Sequence, residues 1–370
     1  MEKIVQYCQA YFFKAGELSH NLARILRGSD HKKVKSADQR MGATDMRSSL
    51  SKFLQLRPNI FVYQKLSWRV ASVYVTILGK LYFFFKRKEK CKIEGAVTTL
   101  FEGHKSKPEI ESIKRNVFRG IQSHYYEKLF NAFSSADALK AFLRLHMKSE
   151  GLMAVEQGLS RGKGVLLVTG HFGGVEFIPG YLASNNYPVT ILVKFSSNYL
   201  RNISIRKADE FAAKIIDAEN SPNIIKAVYD SLKENRIVVT QCDEIDEWRP
   251  SRHQRVLFLG KEINLDKTID TIIKRVVASI VFGIMHRNDN QEYRFVVNSL
   301  EEIAKRLKAS ENMSVGALVL KFLEQNIYKY PEEWYQWKNY PGIIISPSPR
   351  TKLEITKSPP LVKPAFSRIS

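Results

Sequence analysis

Gly164-Val-Leu-Leu-Val-Thr-Gly-His-Phe-Gly-Gly-Val-Glu176 passes from an unbroken apolar run into glycines, a histidine and an acid. Val165–Val168 reads as a short buried strand, and the glycines after it let the backbone turn tightly. The spacing predicts a helix starting near Gly173–Val175, with Glu176 in its first turn. His171 then stands at the mouth of a sheet, and Glu176 is expected to bend back to it. An imidazole whose ring N–H is held by a carboxylate makes a general base that works near pH 7. His-x4-Glu alone occurs by chance in many proteins. At a strand end, inside a Gly-rich turn, it marks a candidate site.

Outward from this stretch the pattern alternates. Strands are expected at 165–169, 188–194, 214–216, 237–241, 255–258, 279–285 and 293–298. Helices are expected near 174–184, 198–213, 222–234, 266–275, 300–308 and 313–329. Such alternation predicts an α/β fold, with a mixed, largely parallel central sheet flanked by helices and active residues at strand ends. Before it, Glu109–Gln157 has helical spacing throughout, through Val117, Ile121, Tyr125, Leu129 and Phe133, and is expected to pack on the sheet as a helical preamble.

The N-terminal part reads as a helical membrane-anchoring segment. Ile4–Leu26 has the spacing of an amphipathic helix, and 27–51 is polar and charged like a linker. Trp68–Phe85 is mostly apolar, with aromatics at both ends and Lys86-Arg-Lys-Glu-Lys90 behind it. It falls just short of the ~20 residues that a membrane span requires, and Arg69 and Lys80 interrupt it. It can cross with those charges snorkelling, lie in the interface, or pack as a core helix. The expected division is residues 1–65, an amphipathic helix and linker; 66–90, a membrane anchor or interfacial helix; 91–345, the main domain; and 346–370, a basic Pro- and Ser-rich tail expected to be disordered.

A formal net charge of +21 over 370 residues is a large basic surplus. It fits nucleic acid, an anionic membrane face or an acidic protein partner. No zinc spacing, RRM-type aromatic motif or helix-turn-helix pattern supports the first, so no nucleic-acid partner is expected. Cys8, Cys91 and Cys242 are too few and scattered for a disulfide framework and have no metal-ligand spacing, which points to a cytosol-facing chain. The N-terminus lacks the features of a signal peptide. Gly162-Lys-Gly lacks the Walker frame, and neither a metal nor a cofactor is expected.

A second acidic group follows the buried run Ile237-Val-Val-Thr-Gln241: Asp243, Glu244, Asp246 and Glu247. It also lies at a strand end, so Asp243 or Glu244 is a second acid that can face His171. Arg249, Arg252 and Arg255 come next and are candidates for gripping phosphate. His253 and His286 have no such context and read as structural. Trp334 and Trp337 are expected to seal the fold or a membrane face.

Gly162–Glu176 resembles the signature of the late acyltransferases of lipid A biosynthesis, within the lysophospholipid acyltransferase-like group defined by His-x4-Asp/Glu. The resemblance continues in order from about residue 110 to 340. Asn198–Ile216, with Arg206 ahead of Lys214-Ile-Ile216, is similar to the family's Asn…Arg…Val-Ile block. Gln241-Cys-Asp-Glu244 stands where the family has Pro-Asp-x-Asp, and Val256-Leu-Phe-Leu-Gly260 resembles its Val-Pro-Phe-Phe-Gly. Pro331-Glu-Glu-Trp334 with Trp337 is similar to its closing Pro-Glu-Gln-Trp-x-Trp. Three features depart from the pattern. Gly174-Val175 replaces Asn-Trp, Gln241 and Glu244 replace a Pro and an Asp, and Ile280–Arg287 lacks the late proline.

The resemblance implies an O-acyltransferase on the cytoplasmic face of a bacterial inner membrane. It would take a fatty acyl chain from an acyl carrier protein or acyl-CoA thioester and pass it to a hydroxyl of a lipid or glycolipid acceptor such as a lipid A precursor. His171 would be the base, Glu176 its orienting acid, and Arg206 a contact for the oxyanion or a phosphate. An anionic membrane surface would be a further partner. The departures leave two alternatives: a glycerophospholipid or specialised-lipid acyltransferase, and an inactive relative that only binds membrane or carrier.

Overall fold

The computed structural model describes residues 54, 59–60 and 68–343, apart from 196 and 289–291. The expected N-terminal amphipathic helix and the tail from 346 lie outside these residues. Seven strands make the central sheet: β1 (Met147–Glu150), β2 (Val165–Thr169), β3 (Val189–Val193), β4 (Lys214–Asp217), β5 (Ile237–Gln241), β8 (Ser279–Arg287) and β9 (Tyr293–Ser299). Their order is β1-β9-β8-β2-β5-β3-β4, and only β8 and β9 run antiparallel to each other. The fold is thus the expected α/β type with a mixed, largely parallel sheet. All five residues of β2 are buried, as expected of a parallel strand covered on both faces.

Two strands, β1 and β7 (Lys261–Asp266), were not legible, and β6 (Pro250–Phe258) starts five residues before the strand expected at 255–258. β1 is Met-Lys-Ser-Glu, a short edge strand with no apolar run. It interrupts what the sequence reads as continuous helix. β6 and β7 form a separate antiparallel hairpin. Leu259 and Gly260 turn it with positive φ at both positions, the geometry of a primed hairpin turn.

Helices α1 (Trp68–Phe85), α2 (Arg87–Phe101) and α3 (Lys107–Phe133) precede the sheet, α3 falling largely within the expected preamble and α1 within the segment expected as an anchor. α3 starts where a capping box (Ser106 with Glu109) satisfies its first amides. Its 27 residues carry side chains from the surface to the sheet. α1 buries Ala71, Val75, Leu78, Gly79, Tyr82 and Phe83, while Val70, Val73, Ile77, Leu81, Phe84 and Phe85 stay exposed. Among the described residues no helix is long and apolar enough to cross a membrane. The remaining helices are α4 (Ala136–His146), α5 (Met153–Ser160), α6 (Ile178–Ser184), α7 (Asn198–Glu210), α8 (Ile224–Lys233), α9 (Thr268–Ile273), α10 (Leu300–Leu307) and α11 (Val315–Lys329).

Candidate active site

Sheet register builds the site. β2 and β5 are parallel neighbours with Thr169 opposite Gln241. The pairing runs one step further, where the Cys242 amide donates to the Thr169 carbonyl at 2.8 Å. Two residues beyond each strand, His171 and Asp243 therefore meet. Asp243 is fully buried. The His171 backbone N–H donates to both of its oxygens, at 2.9 and 3.1 Å, and His171 Nδ1 lies 2.9 Å from Oδ1. The indole N–H of Trp334 donates to Oδ2 at 2.8 Å. A buried carboxylate requires this many donors, since an unpaired charge there is strongly penalised.

The turn after His171 is clamped from behind. Gly173 has φ +55°, and a Cβ there would fall 1.7 Å from the Met285 carbonyl, so only glycine fits. Its amide donates to the Glu333 carbonyl at 2.8 Å, and Arg287 Nη2 donates to its carbonyl at 2.9 Å. Arg287 is held in turn by a bidentate pair with Glu127 on α3, at 2.6 and 2.9 Å, to which the Tyr293 hydroxyl also donates. His286, read from sequence as structural, lies 3.2 Å from the Glu333 carboxylate.

Beyond Gly173 the chain winds into a short 3-10 turn, Val175–Phe177, before α6. That turn directs Glu176 toward α3, not back to His171. Glu176 Oε1 lies 3.9 Å from His124 Nε2 and 3.9 Å from Lys128 Nζ. This corrects the expected pairing: Asp243 occupies Nδ1 of His171, and Glu244 Oε2 faces Nε2 at 3.3 Å. Sequence proximity favoured Glu176, but the register of β2 on β5 brings Asp243 to the ring.

Charges around the ring set its protonation. Burial alone would lower the His171 pKa, but Asp243 and Glu244 outweigh it and push the imidazole up to about 10. With both acids in place, the ring is therefore an imidazolium at neutral pH. His124 is the opposite case. Burial, then the cations Lys128, His171 and Arg287, hold it well below the ordinary imidazole range, so it is neutral. Tyr335 links the two histidines, stacked on His124 with ring centroids 3.4 Å apart and edge-on to His171 at 5.1 Å.

His171, His124, Glu176, Glu244 and Tyr335 line one cavity of about 830 Å³, whose other walls carry apolar residues such as Leu200, Ile191 and Ile224. Arg249 lines it too. Arg206 is exposed on α7 and outside the lining, which its neighbour Lys207 joins instead. Arg252 and Arg255 are exposed on β6, also outside the lining, and Arg255 lies 3.5 Å from Glu262. Among the described residues no cluster of His, Cys, Asp or Glu has metal-binding geometry. His124, Glu127, Arg287 and Tyr335 were not singled out from sequence. Trp334 was, but as a seal and not as a donor to Asp243.

A histidine fixed at Nδ1 by a buried acid, with Nε2 turned to a cavity, can take a proton from a bound hydroxyl. A model of the family described as bacterial lipid A biosynthesis acyltransferase matches residues 61–339, three quarters of the chain. A search of curated protein sequences gives no significant match.

Proposed function

Since the chain belongs to the bacterial lipid A biosynthesis acyltransferases, we propose that it transfers a fatty acyl chain from an acyl carrier protein or acyl-CoA thioester to a hydroxyl of a lipid A precursor. The observation that carries this reading is the buried Asp243 on Nδ1 of the cavity-lining His171, with Nε2 facing only the half-exposed Glu244 at 3.3 Å among the described residues. The acceptor hydroxyl enters at Nε2 and displaces Glu244, whose side chain is 45% exposed and free to leave. Losing that carboxylate lowers the pKa of His171 toward the range of a working base.

Nε2 then takes the hydroxyl proton while Nδ1–H donates to Asp243. The acceptor oxygen attacks the thioester carbonyl, and a C–O bond forms. When the tetrahedral intermediate collapses, the C–S bond breaks and the departing thiolate takes the proton from the imidazolium. The apolar walls of the cavity suit a hydrocarbon chain. The exposed apolar face of α1, bounded by Lys86, Arg87 and Lys88, supports residence on an anionic leaflet at the cytoplasmic face of the inner membrane.

The test is acyl transfer by the purified protein, with mass spectrometry of the lipid product. His171→Ala should lose at least about 10²-fold in turnover with an unchanged melting profile. Near-normal transfer by this variant would remove His171 from the mechanism.

A further inference from the structure

Glu176 keeps company that a base-orienting acid does not need. His124 and Lys128 are one turn apart on α3 and therefore share a face. Both point at the same oxygen of Glu176, each from 3.9 Å. That distance is too long for a hydrogen bond, and among the described residues nothing closer is bonded to this carboxylate. His124 is buried, lines the cavity, and has a ring nitrogen, Nδ1, with no hydrogen-bond partner among the described residues. The other ring nitrogen, Nε2, is the one that faces Glu176.

We propose that His124, Lys128 and Glu176 form a polar subsite that binds a non-reacting hydroxyl of the acceptor's sugar headgroup. This rests on the acyl-transfer reading above. An oxygen about 2.8 Å from both Glu176 Oε1 and Lys128 Nζ fits to one side of the line joining them. A hydroxyl suits that place because it donates to the carboxylate and accepts from the ammonium or the neutral imidazole. A phosphate would be repelled by Glu176. The reacting hydroxyl must lie elsewhere, at Nε2 of His171. Tyr335 touches both histidines and fixes the spacing between the two positions. Glu176 is thereby a specificity residue, not the partner of the base.

The probe is a partly acylated, phosphorylated glucosamine disaccharide, with a parallel set in which ring hydroxyls are methylated singly. Glu176→Gln, His124→Gln and Lys128→Met should each raise the KM for the disaccharide about 10- to 100-fold. Turnover should change by no more than a few fold, and the donor KM should not change. One methylated disaccharide should be discriminated against by the wild-type chain but not by the variants. Lys128 is more than a third exposed, so its variant reads the subsite without a folding defect. Two results would overturn the proposal: a Glu176→Gln turnover as low as that of His171→Ala with KM unchanged, or no change in KM for any of the three. Calorimetric binding of the same disaccharide separates this proposal from the acyl-transfer reading. If the wild-type chain binds it, the variants bind more weakly and no transfer occurs, the subsite stands and the chemistry falls. Equal binding by wild type and variants would sink the subsite.

Discussion

On one wall of the cavity Asp243 is fully buried and takes donors from the His171 backbone, the His171 ring and the Trp334 indole, all within 3.1 Å. On the other wall Glu176 is a quarter exposed, with His124 and Lys128 each 3.9 Å from its Oε1. Asp243 stands two residues past β5, whereas Glu176 lies in the 3-10 turn Val175–Phe177 beyond β2. The first has no freedom to move and nothing left to bind, which is what orienting an imidazole requires. The second has unsatisfied acceptor capacity facing solvent, which is what recognising a ligand requires. Rigidity and spare hydrogen-bonding capacity separate the two roles more clearly than nearness along the chain.

The largest expected effect breaks the rigid wall. Asp243→Asn keeps an oxygen for the backbone amide but removes the charge that holds the imidazolium. Turnover should fall about 10²–10⁴-fold, read by the same lipid product assay. Wild-type turnover would transfer the orienting role elsewhere. A smaller effect is expected one contact further out. Trp334→Phe removes the indole N–H from Asp243 Oδ2 and leaves that buried oxygen with only the longer contact to the His171 backbone N–H, at 3.1 Å. Thermal or denaturant unfolding should show a loss of about 1–3 kcal/mol, with turnover down about tenfold as Asp243 loosens. A variant as stable and active as the parent would show that the indole only fills space.

The smallest effect sharpens the comparison through pH. A base works deprotonated, so kcat/KM rises with pH through the pKa of His171 in the free enzyme. Glu244 is one of the two acids raising that pKa. Removing its charge in Glu244→Gln should move the acid limb of the kcat/KM profile to lower pH. Glu176→Gln, whose side chain is not against the ring, should leave the limb in place. A limb unmoved in Glu244→Gln, or shifted upward, would contradict the assignment.

Local patterning made most of the sheet legible. β2 and β5 are apolar runs whose bounds the sequence gives residue for residue. β1 escaped because Met147-Lys-Ser-Glu150 draws its strand character from pairing with β9, not from its own residues. The site divided in the same way. His171 was legible from a strand end and a Gly-rich turn. Its partner was legible only as a second choice behind Glu176, with Asp243 and Glu244 left open, because His171 and Asp243 are 72 residues apart and are joined only by the register of neighbouring strands. The one available signal was symmetry: each stands two residues past a buried strand. Glu127, Arg287 and Trp334 come from a helix, an antiparallel strand and the closing segment, and only the packed fold brings them behind the turn.

The most direct test of the central claim, that His171 and Asp243 act as one unit, is the residual single-turnover rate of paired variants. Groups that act together are grossly non-additive. Adding Asp243→Asn to His171→Ala should lower the residual rate by no more than about threefold, whereas adding Glu176→Gln should still raise the acceptor KM by its full single-variant factor. If Asp243→Asn instead multiplies its whole loss onto His171→Ala, while Glu176→Gln adds nothing, then Glu176 is the partner of the base and the assignment drawn from the geometry is wrong.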